Sequence, residues 1–324
     1  MGAMYARAYS QHPGVEFAAI CDLNVKRARS LARKHGAGAA YGDCGAMLKE
    51  AGLDAVTVAT PDAGHRKPVV ACLRAGKDVL CEKPLATTMR DCEAICAAVE
   101  KSGRRLMVNY GNRHKTQVYG LKEQMDAGSL GRIENAFIRL REPLWKTKNL
   151  AWLDKTTPTW FLLSHCTDTL LYLLGARPRE VYARATRGVL AAQGSGTPDA
   201  VVATLGFEDG ATAVMDANWV MPKGFAPQID FRLELVGEKG AVYADLRSND
   251  MMLYTKDAHA VDYDLGAADP LGAVTGWWYR SVGYFVDCLA RGIAPHPTAQ
   301  EGTEVTRILL AIEESARTGR AVSL

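Results

Sequence analysis

The tetrapeptide Cys81-Glu82-Lys83-Pro84 carries the most pointed chemical signal in this chain. It closes Ala75-Gly76-Lys77-Asp78-Val79-Leu80, where a glycine ends a helix and a short apolar run follows. That order predicts Lys83 just past the carboxyl end of a parallel strand, where open α/β sheets bind ligands. A lysine there can exchange a proton with a substrate, its acidity set by its neighbours. A second pair of ionisable groups lies in His165-Cys166-Thr167-Asp168, within an apolar run from Phe161-Leu162-Leu163 to Leu170-Leu171. Three residues apart on a helix, His165 and Asp168 share a face. One histidine in an apolar helix is usually a satisfied core residue. Two ionisable groups in one turn point to a functional imidazole and carboxylate, since unpaired burial of both is costly.

Two further positions could hold a dinucleotide. Asp22 ends the apolar segment 15–21 and follows Gly2 by 20 residues. A carboxylate there accepts hydrogen bonds from ribose hydroxyls and repels a 2′-phosphate, which favours NAD over NADP. The same residue could cap the helix over 24–35, and the two roles are compatible; Lys26 and Arg27 beside it could still tolerate a phosphate. Thr60-Pro61-Asp62, with His65 one turn on, joins a strand to a helix, and backbone at such turns can approach a dinucleotide. Taken alone, these residues read first as helix capping.

The elements that must position these groups follow from punctuation and periodicity. Helices are predicted over 2–12, 24–35, 43–51, 62–75 and 87–102, separated by strands at 15–21, 38–41, 53–59, 79–81 and 106–108. Strands alternating with helices of this length form a doubly wound parallel sheet. The pattern changes after about residue 115. A helix over 116–127 and a strand over 133–141 lead to a Trp-, Lys-, Thr- and Pro-containing loop at 144–160 and a helix over 161–174. Strand-like segments at 180–187, 200–207, 211–219, 229–236, 240–246 and 251–255 follow with few helices between them, which predicts a mainly antiparallel sheet. Helices over 276–291 and 299–317 finish the chain. The expected architecture is an α/β Rossmann-type domain over 1–114 and an α+β domain with a large mainly antiparallel sheet over 115–324.

Bulk properties narrow the function classes. A chain of 324 residues, 48% hydrophobic and 23% charged, is ordinary for a globular protein with two cores. A net charge of +3 with well-mixed signs gives no footprint for nucleic acid. No apolar run approaches the ~20 residues that span a bilayer, and no signal-peptide core is visible at the start. The 8 cysteines are scattered without a paired spacing. They read as reduced, mostly buried thiols of a cytoplasmic protein, and no metal site is expected.

In this order, the segments resemble the Gfo/Idh/MocA family of nicotinamide-dependent oxidoreductases over nearly the whole chain. The resemblance rests on Ala59-Thr60-Pro61-Asp62 with His65, on Ala75 through Pro84, and on Asn109–Arg113. It continues through Gly128–Ile133, Ser164-His165 with Asp168 and Leu174-Gly175, Gly237–Gly240, and Glu301-Gly302 to Val322. It implies that Lys83 and His165 are catalytic and flank the reacting carbon. Lys83 would exchange a proton with the substrate oxygen while His165 hydrogen-bonds that oxygen or shares the transfer. NAD, with NADP as the alternative, would be held by Gly2, Met4, Asp22, Leu23, Thr60, Pro61, His65, Glu82, Lys83 and Arg113. The substrate would meet Lys83, Trp152, Trp160, His165 and Asp168. The family also implies a homodimer or homotetramer formed on the open face of the second sheet.

Two departures from the family pattern stand out. Many members carry an Asp four residues before the catalytic His, and here that residue is Phe161. Met1-Gly2-Ala3-Met4-Tyr5-Ala6-Arg7 resembles the end of a G-x-G-x-x-G motif, without the first strand and first two glycines; we expect these to lie upstream of the printed start. The implied activity is hydride transfer between NAD(P) and a secondary alcohol or ketone of a sugar, sugar acid or cyclic polyol. Competing readings are NAD-using glycoside cleavage without net redox change and a non-catalytic nucleotide-binding remnant.

Overall fold

The computed structural model describes residues 1–150, 152–222, 224–225, 229–247 and 274–324. The chain forms two compact units, Met1–Gly111 with Gly266–Thr306 and Asn112–Leu265 with Arg307–Leu324. The first unit opens with helix α1 (Gly2–Gln11) and continues through β1 (Ala19–Cys21), α2 (Val25–His35), β2 (Ala39–Tyr41) and α3 (Cys44–Glu50). Next come β3 (Ala55–Val58), α4 (Arg66–Arg74), β4 (Asp78–Glu82), α5 (Met89–Ser102) and β5 (Leu106–Asn109). Side chains of Asn24, Asp43 and Thr88 accept from the amides of Arg27, Ala46 and Asp91, satisfying donors that a helix start leaves open. Gly36 closes α2 at φ 71°, a left-handed conformation that is cheap only without a Cβ.

Every strand pair in this unit is parallel. The sheet is nevertheless in two pieces, β1-β2 and β3-β4-β5, and among the described residues no ladder joins them. The break lies between β1 and β3. β1 is shorter than the expected 15–21 because its ladder with β2 spans only three residues. Tyr9 of α1 touches both pieces: its hydroxyl pairs with Thr57 Oγ1 of β3 at 2.5 Å, and its ring lies 6.2 Å from that of Phe17, just before β1.

The second unit contains α6 (Thr116–Asp126), β6 (Ile133–Pro143), α7 (Ser164–Leu174), β7 (Pro178–Thr186), β8 (Ala200–Phe207), β9 (Thr212–Met221), β10 (Asp230–Gly237), β11 (Ala241–Asp245) and β12 (Val322–Ser323). Among the described residues, seven strands run in the order β11-β10-β6-β9-β8-β7-β12. All pairs are antiparallel except β6 with β9, so the sheet is mainly antiparallel as the sequence predicts. The expected strand at 251–255 lies outside the described residues. One face is apolar and buried: Val201, Ala203 and Leu205 of β8 and Ala213, Met215 and Ala217 of β9 follow the two-residue period of a half-covered sheet. Helix α7 lies on this face, where Thr167 Oγ1 meets Met215 Sδ at 3.6 Å.

The chain then returns to the first unit. Helix α8 (Trp277–Ala290) and the first turns of α9 (Ala299–Thr318) belong there, whereas the sequence assigned them to a domain over 115–324. Apolar packing draws α8 back: Trp277, Trp278, Val282 and Phe285 form one cluster with Tyr5, Ala8, Leu80 and Met107. This approach requires a glycine at 111, since a Cβ there would sit 2.6 Å from the Trp277 ring. The outer edge of β5 is covered as well, because Val108 N donates to Pro297 O at 2.9 Å.

Candidate active site

In the first unit, two strand ends build a corner. β4 is buried along its whole length between β3 and β5, and it delivers Glu82 and Lys83 at its carboxyl end. β3 delivers Thr60 and Pro61 beside it, ahead of a short turn at Asp62–Gly64. His65 ties the two loops together: Nδ1 lies 2.8 Å from Pro84 O and Nε2 lies 2.9 Å from Thr60 O. Carbonyl oxygens only accept, so both ring nitrogens are satisfied only in the imidazolium. Burial alone would favour the neutral ring, but Cys81 and the two carbonyls outweigh it and push the His65 pKa up to about 10. Lys83 is half-buried at this corner, and the Lys83–Pro84 peptide bond is cis.

A buried polar chain runs behind Lys83. Ser281 Oγ of α8 donates to Asn109 Oδ1, and Asn109 Nδ2 donates to Tyr5 OH at 2.5 Å. Tyr5 OH donates to Glu82 Oε1 at 2.6 Å, while Glu82 Oε2 accepts the Lys83 amide at 3.1 Å. All four side chains are buried. Burial first, then the Glu82 carboxylate, raises the Tyr5 hydroxyl well above the ordinary phenol range, so Tyr5 stays a neutral donor.

The carboxyl end of β1 is more open. Asp22, just past β1, accepts the Asn24 amide at 2.8 Å and a two-point contact from Arg27, with Nε to Oδ2 at 2.8 Å and Nη2 to Oδ1 at 2.9 Å. Desolvation opposes ionisation of Asp22, but the Arg27 guanidinium and the Asn24 amide hold its carboxyl below the usual range. The helix cap is Asn24 rather than Asp22. Leu23 beside it is 96% exposed.

The donor set of this unit fits a dinucleotide. Asp22 offers acceptors for a ribose, and the exposed Leu23 offers an apolar surface for a flat base. The amino end of α1 presents backbone amides at Gly2, where an added Cβ would meet nothing within 4 Å, so a phosphate can approach the backbone. Met4 lies two residues further into α1 and packs against the aromatic cluster of that unit. Thr60, Pro61, Glu82 and Lys83 lie at the carboxyl ends of β3 and β4. Among the described residues, no group of three or more His, Cys, Asp or Glu side chains is placed to hold a metal ion. All eight cysteines are free, five of them buried.

In the second unit, α7 is preceded by a π-helical turn, Thr159–Leu163, a form often found beside functional residues. His165 is half-buried in the first turn of α7. Asp168 is 1% exposed, and both its oxygens accept from Arg113, whose Nη2 lies 2.7 Å from Oδ1. The Arg113 guanidinium also stands 4.8 Å from the Tyr172 ring centroid. The structure therefore pairs with each other two residues that the sequence assigned separately, Arg113 to cofactor and Asp168 to substrate. Phe161 packs on Trp219 with ring centroids 5.6 Å apart, and Trp219 Nε1 donates to Glu142 Oε2 at 3.1 Å. Trp219 is thus a core residue, while Trp160 is half-buried and Trp152 exposed. Ser164 Oγ and Thr159 Oγ1, at the start of α7, are buried without a hydrogen-bond partner among the described residues.

Tyr5, Asn109 and Ser281 carry no sequence signal that joins them, since their hydrogen bonds span 104 and 172 residues. The Asp22–Arg27 pair was closer to hand, because an acidic strand end followed by a basic helix start places opposite charges side by side.

A parallel nucleotide-binding unit joined to a mainly antiparallel sheet, with a lysine at a strand end, defines a two-domain oxidoreductase. The comparisons agree. Residues 1–110 match the oxidoreductase family with an NAD-binding Rossmann fold, and residues 118–243 match the GFO/IDH/MocA C-terminal domain. The chain belongs to the Gfo/Idh/MocA family, and it is a dehydrogenase or reductase acting on CH–OH groups. It is 29% identical to inositol 2-dehydrogenase 1 of Saccharopolyspora erythraea, covering 100% of this chain and 93% of that one. It is 26% identical to D-apiose dehydrogenase of Paraburkholderia graminis, covering 99% and 86%. The structure of scyllo-inositol dehydrogenase from Lactobacillus casei with NAD(H) and scyllo-inositol shares the fold, with a TM-score of 0.84 at 16% identity over 99% of this chain and 95% of that one.

Proposed function

We propose that this protein uses NAD to oxidise one secondary hydroxyl of a cyclic polyol, sugar or sugar acid, or reduces the matching ketone. The observation that carries the reading is the corner at Thr60, His65 and Lys83, where two strand ends are pinned around a half-buried lysine. Bound NAD supplies the hydride acceptor or donor. Lys83 takes the proton from the substrate hydroxyl, or returns it to the carbonyl. His165 hydrogen-bonds the same oxygen, and the Arg113–Asp168 pair steadies the helix that carries it. Phe161 replaces the third ionisable group that many relatives carry, so the proton path rests on Lys83 and His165. Asp22 favours NAD, while Arg27 beside it gives NADP a counter-charge. The relatives that act on inositol and apiose support a polyhydroxylated substrate.

We expect a homodimer or homotetramer formed through the outer face of the second sheet. A row across that face pairs Tyr182 with Thr204, Thr204 with Val214, Val214 with Phe137, Phe137 with Glu234 and Glu234 with Tyr243. Such a partly exposed, partly aromatic row suits a second copy.

The test is NADH formation with myo-inositol, scyllo-inositol and D-apiose, repeated with NADP. Turnover on at least one of them supports the reading. NAD binding without turnover on any polyol or sugar would favour a non-catalytic role. Cleavage of a glycoside without net NADH would favour transient oxidation.

A further inference from the structure

The backbone of Lys83 is held by a buried chain of four side chains drawn from four separate elements. Ser281 (α8), Asn109 (β5), Tyr5 (α1) and Glu82 (β4) are linked head to tail, each donor aimed toward the Glu82 carboxylate. The last link is not to a side chain: Glu82 Oε2 takes the amide of Lys83 itself at 3.1 Å. The direction of the chain follows from chemistry. A carboxylate only accepts, so Tyr5 must donate to it and must accept from Asn109. Asn109 Nδ2 is thereby the donor, its Oδ1 is left as an acceptor, and Ser281 must donate there. Every hydroxyl and amide orientation is fixed, and no member can rotate without leaving a buried partner unsatisfied.

We propose that Tyr5, Asn109 and Ser281 are positioning residues for Lys83. They act through Glu82, holding the turn after β4 so that the lysine leaves the strand end in one direction. This rests on the reading of Lys83 as the proton-exchanging group and adds to it a relay whose far end, Ser281, lies on a helix contributed late in the chain. A proton-transfer group must be held to a fraction of an ångström, and loosening by about 1 Å costs on the order of 10²-fold in rate. The three residues touch neither cofactor nor substrate in this account. Their loss is therefore felt in kcat rather than in binding.

The experiment compares wild type with Tyr5→Phe, Ser281→Ala and the double variant. The readouts are kcat and KM for NAD+ with myo-inositol (or the best substrate found), together with hydrogen exchange of the Lys83 amide at a pH where all forms are folded. We expect Tyr5→Phe to lower kcat by about 10- to 100-fold while leaving the KM for NAD+ within about 3-fold. Ser281→Ala should lower kcat less, and the double variant should be no worse than Tyr5→Phe alone, because one chain is broken once. Exchange at the Lys83 amide should speed up by about 10-fold or more in Tyr5→Phe. Unchanged exchange at that amide overturns the relay. Faster exchange with unchanged kcat, or additive losses in the double variant, overturns the positioning role. Lys83→Ala, measured alongside, addresses the catalytic reading separately: an active Lys83→Ala enzyme refutes that reading whatever the amide does.

Discussion

The two pieces of the first unit's sheet differ in how tightly they are held. In β3-β4-β5 the middle strand is buried throughout, β5 has its outer edge covered by Pro297, and His65 pins two loop ends. In β1-β2 each strand is three residues long and half-buried, and Asp22 is held by the exposed Arg27 and the Asn24 amide. In the function we propose, proton transfer falls to Lys83 on the first piece and recognition of the ribose to Asp22 on the second. A proton must be handed over within a fraction of an ångström, whereas a ribose hydroxyl tolerates a softer partner. On that proposal, burial and hydrogen bonding are concentrated where precision matters to the rate.

The largest effect should come from breaking the tight piece. His65→Ala leaves the Thr60 and Pro84 carbonyls without donors, and unfolding should show a loss of ~2–4 kcal/mol. His65 also gives the wild type a pH signature. Its folded pKa of about 10 lies above the ordinary value of ~6.5, so the ring's contribution is complete below pH ~6.5 and is lost as pH rises through about 10. Urea midpoints should therefore fall from neutral to alkaline pH in wild type, and fall less in His65→Ala. Parallel slopes in the two proteins would show that another group dominates.

A second, smaller effect should come from strengthening the loose piece. Among the described residues, no ladder joins β1 to β3. An added amino-terminal segment of roughly ten residues, an apolar strand of the usual ~5–6 and a Gly-x-Gly turn, should occupy that gap. Several new backbone pairs at ~1 kcal/mol each should raise the melting temperature by about 5 °C or more and tighten NAD binding in the same protein. Equal melting and equal affinity with and without the segment would show that the gap is already filled by side chains such as Tyr9.

Recognition at the ribose should respond more weakly. Asp22→Ser should shift preference toward NADP by about 10-fold, since one repelling charge near a phosphate is worth roughly 1.4 kcal/mol. Arg27→Ala should move it the other way. Unchanged cofactor ratios in both variants would place the discrimination elsewhere.

What was legible in the sequence divides along the same line. Helix ends marked by Gly36, Gly76, Gly103 and Gly175 and strands marked by apolar runs were readable because their causes are local. Lys83 was readable because its position after a strand is itself a local pattern. The return of α8 was not, because the contacts of Trp277 and Trp278 with Tyr5 and Leu80 join distant parts of the chain. The pairing of Arg113 with Asp168 escaped for the same reason: 55 residues separate them, and each alone suggested a ligand. The length of β1 depended on its partner rather than on its own residues.

The central claim is that Lys83 acts on the substrate proton and not on the cofactor. Lys83→Ala, measured for kcat and for NAD+ dissociation constant in one preparation, tests it most directly. The account predicts a fall in kcat of about 10²- to 10⁴-fold with NAD+ affinity within about 3-fold of wild type. Equal losses in both would make Lys83 a cofactor anchor, and an unchanged kcat would remove it from the chemistry.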